Sequence, residues 1–302
     1  MKTTIKNILA PVDLTPTSLN SLNTAIQMAA RHEALLHILY VEDIINYYPQ
    51  MGQLGTIEPV IREIVEKDKY LLEKMAKAIF KDFQVNCRVH SVTGYPTTMV
   101  SDMAAEVKAD MIVMGTEAGI DKKSYLVDSP VYKVMRAAPC HVLMVPANQT
   151  FSAFEHILYP VMSDGTPLAN LPVAKVIIEK NNATVSVIRV IQKEDSEVLN
   201  SLKMLSDSIR RRSNGVARSA RTRPLYTSNP AKGLAKLSRE EKAGLVVIEG
   251  KTQRSLKEFF TGSFTQKMLR NQDVAVLCTK KKPENDIRSL NAADFKNFQL
   301  SY

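Results

Sequence analysis

The residues able to do chemistry in this sequence stand just beyond the ends of its apolar runs. Asp13 closes ILAPVD, Val41 closes LHILYV, and Gly115 opens a stretch that ends at Ser129. In an open α/β sheet such positions line the crevice outside the carboxyl ends of the strands, where ligands bind. What they offer is recognition rather than bond breaking. The five histidines (His32, His37, His90, His141 and His156) are scattered, with none at metal-ligand spacing. His37, His141 and His156 fall in or beside apolar strands, where packing is the simpler reading. No serine elbow, Cys-His arrangement or carboxylate pair appears at motif spacing. The lysine of a P-loop is missing, so a bound nucleotide would lack the usual hydrolytic equipment. The sequence therefore reads as non-enzymatic, with no catalytic residue and no metal ligand.

The elements that must position these residues occur twice. KNILAPVD at residues 6–13 returns as EHILYPVM at 155–162, and ADMIVMGT at 109–116 returns as AGLVVIEG at 243–250. Ile8 and Val41 map to Ile157 and Val190 at an offset of 149; Pro96, Ser129 and Val142 map to Pro230, Ser263 and Val276 at 134. The difference of fifteen residues places one longer segment of the first copy between Val41 and Pro96, around NYYPQMGQLGT at 46–56. That segment reads as a loop, either covering a site or simply tolerated. An unbroken register of this kind requires duplicated folds.

Within each copy, strands alternate with helices. Residues 8–12, 36–41, 85–92, 111–114 and 141–145 are expected strands. Leu19, Leu22, Ile26 and Ala29 share a helical face over 17–32; Ile61, Ile64, Leu71, Met75 and Ile79 form another stripe, and Met99, Val100, Met103 and Val107 a third. Gly94, Tyr95 and Pro96 form a turn, and 131–135 lies on a last helix. Such alternation implies right-handed crossovers and a parallel sheet with helices on both faces. The fold class is doubly wound α/β, as two five-stranded parallel-sheet domains: 1–148 and 153–282, with a tail at 283–302.

Composition sets the outer bounds. A chain of 302 residues suits two domains, and 45% hydrophobic with 24% charged residues is ordinary for a globular protein. No apolar run approaches the roughly 20 residues of a membrane helix, and the N-terminus runs almost directly into the first strand, so a cytoplasmic location is expected. Cys87, Cys140 and Cys278 lie far apart in apolar segments and read as buried thiols. Net charge is +9 but uneven: −1 through Thr150 and +10 beyond it. The basic run at 210–223 (Arg210, Arg211, Arg212, Arg218, Arg221 and Arg223) contains no acid. It suits an anionic partner or a solvated helix end. With no aromatic to stack a base and no known motif, nucleic acid is disfavoured there.

ILAPVD, KADMIVMGT and APCHVLMVP, in this order and spacing, make the chain resemble the universal stress protein family over nearly its whole length, as two tandem domains. The resemblance implies the adenine-nucleotide alpha-hydrolase-like fold and a stress-response regulatory role. It also implies an intramolecular pseudo-dimer through the fifth strands, 141–145 and 275–279, with a further homodimer left open. A subset of the family binds ATP through Gly-x2-Gly-x9-Gly-[Ser/Thr] after the fourth strand, and Mg would accompany the nucleotide. In the first copy Gly115 and Ser129 match that motif, while Ala118 and Asp128 stand at its second and third glycines. In the second copy Gly262 and Ser263 match its end, while Glu249 and Thr252 replace the first two glycines and Met162 replaces Asp13. Gly250 serves in place of Glu249 if the loop slips by one.

The implied nucleotide contacts are thus Pro11, Val12, Asp13, Val41, Met114, Gly115, Ala118 and Ser129 in the first domain. In the second they are Val161, Val190, Gly250, Lys251, Arg254, Gly262 and Ser263. Plain alternatives stay open: Asp13 as the cap of a helix beginning near Pro16, Asp128 or Ser129 as the cap of one beginning at Pro130, and the cations around 251–257 as a solvated loop. A protein-interaction or apolar-ligand module that has lost nucleotide binding is the rival reading.

Overall fold

The computed structural model describes residues 4–43, 58–116, 129–149, 153–162, 171–191, 220–249, 267–268 and 274–280. Nine elements make up the first half: β1 (Asn7–Val12), α1 (Pro16–His32), β2 (Leu35–Asp43), α2 (Glu58–Phe83), β3 (Cys87–Gly94), α3 (Pro96–Glu106), β4 (Met111–Thr116), α4 (Pro130–Ala137) and β5 (His141–Pro146). The second half repeats the pattern as β6 (His156–Met162), α5 (Leu171–Asn181), β7 (Thr184–Ile191), β8 (Ala220–Tyr226), α6 (Pro230–Glu240), β9 (Leu245–Glu249) and β10 (Ala275–Thr279).

The ten strands form one sheet in the order β3-β2-β1-β4-β5-β10-β9-β6-β7-β8. Every pairing is parallel except β5 with β10, which is antiparallel with Leu143 opposite Leu277. The expected pairing of the fifth strands is therefore the seam between the halves. The repeat is written into the ladder. Asn7 faces Leu35 as His156 faces Thr184, and Ile8 faces Met111 as Ile157 faces Leu245.

At the third strand the register departs from the sequence alignment by one residue. Leu36 faces Cys87, whereas Val185 faces Ala220, an offset of 133 rather than 134. The residue is recovered before the next helix. One residue, Tyr95, separates β3 from α3, while three separate β8 from α6. Tyr95 caps α3 without a side-chain bond, but Asn229 accepts from the Lys232 amide. Both residues sit at the N-cap just before the helix proline, so the difference lies in the side chain: Asn229 carries a short amide oxygen that reaches the helix amide and Tyr95 does not. The long segment of the first copy, at 44–57, lies outside the described residues.

Two apolar layers flank the sheet. One is built with α1, α2 and α5 through residues such as Leu22, Ile26, Leu72 and Ile177. The other is built with α3, α4 and α6 through Val100, Met103, Val134 and Leu234. Ile8, Leu36, Ile112, Leu143, Leu158 and Leu277 are fully buried, as continuous apolar strands covered on both faces should be. The linker is held from both sides: Asn20 donates to the carbonyls of Pro146 and Gln149, and the Gln149 side chain donates to the Gly244 carbonyl. Among the described residues, no helix is long and apolar enough to cross a membrane.

Candidate functional site

β1 and β4 are neighbours, and the chain leaves β1 toward β2 on one side and β4 toward β5 on the other. The carboxyl ends of β1 and β4 therefore bound the crevice at the point where strand order reverses. Pro11 and Val12 end β1, Met114 and Gly115 lie near the end of β4, and Ser129 immediately precedes α4. Val41, half-buried on β2, packs against the layer of α3 and α4. In the second half, Val161 and Val190 are buried at the matching ends of β6 and β7. Ala118, Asp128, Gly250, Lys251, Arg254, Gly262 and Ser263 lie outside the described residues.

The turn from β1 to α1 is tightly organised. Asp13 is exposed, and its Oδ1 accepts from the Thr15 hydroxyl at 2.6 Å and the Thr15 amide at 3.0 Å. Thr15, not Asp13, caps α1: its Oγ1 accepts from the Ser18 amide at 3.3 Å. The expectation that Asp13 caps this helix is thereby corrected. Leu14, whose φ of 61° is in the left-handed region, separates Asp13 from the N-cap, and the Asp13 carboxylate accepts from Thr15 rather than from a helix amide. Burial alone would raise the Asp13 pKa, but hydrogen bonds from Ser18 and Thr15 outweigh it and hold the carboxyl below its ordinary range. An ionised carboxylate at the carboxyl end of β1, held by Thr15 and Ser18, is the result.

Gly115 has a packing duty that the motif did not suggest. A β-carbon there would stand 2.7 Å from both the carbonyl oxygen and Cγ2 of Thr17, so the glycine lets the first turn of α1 lie directly on β4. Ser129 occupies the N-cap position of α4, yet its side chain makes no capping hydrogen bond. The capping alternative thus fails for its hydroxyl. α4 also has no acid in its first turn. Thr15, Thr17 and Leu14 were missed by sequence reasoning. A Thr-x-x-Ser stretch before an apolar face was the available signal for the first of them; a left-handed leucine has none.

His37, His90 and His156 are each held by hydrogen bonds within the sheet or to its flanking helix. His37 and His90 bond across β2 and β3, Nδ1 to Nε2, at 3.0 Å. Burial, with His90 and Arg88 nearby, lowers the His37 pKa to about 4. His156 bonds the Glu241 carbonyl at 2.9 Å and the Ser186 hydroxyl at 2.9 Å, and that hydroxyl donates to the Glu241 carboxylate, which also binds Arg223 at 2.7 Å. Among the described residues no cluster of three or more His, Cys, Asp or Glu could hold a metal.

A duplicated, doubly wound sheet with its crevices at the carboxyl ends of paired central strands defines a tandem α/β protein. The sequence pattern of the universal stress protein family matches residues 4–146 and again 153–280, and the chain belongs to that family. A universal stress protein of Methanocaldococcus jannaschii is 28% identical over 142 residues, covering 46% of this chain and 81% of the relative. The fold of the whole chain resembles the crystal structure of a universal stress protein from Archaeoglobus fulgidus, with a TM-score of 0.72, 18% identity, and coverage of 93% of this chain and 98% of the other. It also resembles a functionally unknown protein from Pseudomonas aeruginosa, with a TM-score of 0.59, 16% identity, and coverage of 97% and 98%. The repeated register and the antiparallel seam are therefore two family domains joined as an intramolecular pseudo-dimer.

Proposed function

We propose that this protein is a non-catalytic regulatory binding module of its family that accepts an adenine nucleotide in one of its two unequal crevices. The observation that carries the reading is Ser129, at the N-cap of α4 with its hydroxyl uncommitted to the helix. A helix start whose N-cap hydroxyl makes no capping bond suits a phosphate. Asp13, held ionised by Thr15 and Ser18, suits the sugar hydroxyls on the adenosine side, with Val41 beside the base. In the second half Val190 takes the place of Val41, with Gly262 and Ser263 matching the phosphate end of the motif. Mg would arrive with the triphosphate rather than occupy a protein cage.

Thermal or urea unfolding with and without Mg-ATP, ADP or AMP tests this. Ligand at about 100 times Kd should stabilise by about 2.7 kcal/mol, and Ser129→Ala against Ser263→Ala should show which crevice is responsible. No shift with any of the three nucleotides would sink the proposal. It would favour a module that recognises a protein or an apolar ligand, a reading supported by Gly115, whose contact with Thr17 accounts for the glycine without any phosphate. A slow ATPase would release phosphate and lose that activity on Gly262→Glu.

A further inference from the structure

The excess charge of the second half gathers on one described surface. Residues 220–242, spanning β8 and α6, carry six cations (Arg221, Arg223, Lys232, Lys236, Arg239 and Lys242) against two carboxylates. The matching stretch of the first half, residues 87–108, carries two of each. The fold is the same, so the difference belongs to the surface and not to the architecture. All six cations are on exposed residues. Lys232, Lys236 and Arg239 recur at i, i+4 and i+7, which puts them about 6 Å and 10 Å along one side of α6. Arg221 and Arg223 alternate along β8 about 7 Å apart on one face, and the Arg223–Glu241 bond fixes that face as the side of α6. Glu240 pairs with Lys236 at 3.7 Å.

We propose that this surface binds the backbone of single-stranded nucleic acid. Repeated cation spacings of this size suit a chain of regularly placed phosphates better than one isolated anion. Among the described residues β8 is an edge strand of the sheet, and its last residue, Tyr226, is 58% exposed. Tyr226 alternates to the opposite face of β8 from Arg223. A strand lying along the edge therefore meets an aromatic platform on one side and guanidinium groups on the other. Tyr226 lies just past the basic run, which is why that run by itself offered no stacking residue. Other anionic partners fit less well. Pro224 removes an edge donor and blocks a peptide from adding as a further strand. No residue of α6 is among the exposed large apolar side chains, so the helix has nothing to insert into a lipid surface.

Fluorescence anisotropy of the full chain with a labelled 20-nucleotide oligothymidylate, titrated at several NaCl concentrations, tests the assignment. The expected result is saturable binding at 50 mM NaCl whose logarithm falls with log salt at a slope of about −3.5 to −4, as about five or six neutralised phosphates give. Lys236→Glu with Arg239→Glu should weaken binding at least tenfold and flatten the slope by about 1.5. Tyr226→Ala should weaken binding several-fold at an unchanged slope. These positions are exposed, and melting of each variant confirms that it is folded. Absence of binding at 50 mM NaCl, or the same binding by the charge-reversed variant, overturns the proposal. Displacement by 1 mM Mg-ATP would move the ligand to a crevice and overturn it equally. Tighter binding to polyglutamate, to phosphatidylserine vesicles or to duplex DNA, or indifference to Tyr226→Ala, rejects single-stranded nucleic acid as the partner.

Discussion

The carbonyl oxygen of Thr17 lies 2.7 Å from the point where a β-carbon on Gly115 would stand. Backbone cannot yield as a long side chain can, so Gly115→Ala must push the first turn of α1 off β4. We expect a loss of about 1–3 kcal/mol in urea unfolding, the range for overpacked interiors. A stability change below about 0.5 kcal/mol would mean that α1 is free to shift.

The His37–His90 pair makes stability depend on pH. His37 is 3% exposed and its pKa is lowered to about 4 from about 6.5. The folded state therefore binds fewer protons than the unfolded chain between those values. Its contribution is fully present above about pH 6.5 and is lost as pH falls toward about 4, amounting to at most about 3.5 kcal/mol at 1.4 kcal/mol per unit. Chemical denaturation of the wild type and His37→Gln across this window should show the steeper fall in the wild type. Parallel curves would refute the origin.

Capping of α1 is assigned to Thr15, with Asp13 as its support. Thr15→Ala should cost about 1 kcal/mol, and Asp13→Ala less at neutral pH. Equilibrium unfolding of both variants decides it, since the reverse ranking would restore Asp13 as the cap.

Burial pushes the thiols of Cys140 and Cys278 up to about 12, and that of Cys87 up to about 11. None should react quickly with a disulfide reagent at pH 8 in the folded protein, and all three should react in denaturant. Cys87, half-buried on β3, should lead during partial unfolding. Rapid native labelling of Cys278 would show that the seam opens.

Leu277 is fully buried in that seam opposite Leu143. Leu277→Ala should cost about 2–5 kcal/mol. Calorimetry should show one transition in the wild type and two in the variant, as the halves lose their shared sheet. A single unchanged transition in the variant would mean that the coupling of the halves does not depend on Leu277.

Much of this was legible because periodicity reports burial. The runs ending at Asp13 and Gly115 had to be strands, since four or more consecutive apolar residues flanked by helices need cover on both faces. The same argument reached Val41, Val161 and Val190, which lie at strand ends as expected. The single-residue slip at β8 was invisible, because it is taken up in a turn where no apolar pattern marks position. The Thr15 cap was hidden by an equally suitable Asp13 two residues earlier. Only the left-handed backbone at Leu14 decides between them.

The sequence alone determined that two copies of one α/β unit are present, which segments are strands, and that the two copies keep different parts of a glycine motif. These are local or repeated properties, set by side-chain polarity at fixed spacing. The tertiary structure decided that β5 meets β10 antiparallel, that Gly115 serves α1, that the Ser129 side chain does not cap its helix, and that the cations of β8 and α6 form one surface. Each of those depends on residues far apart in the chain meeting at contact distance, and spacing along a sequence carries no record of distance through space.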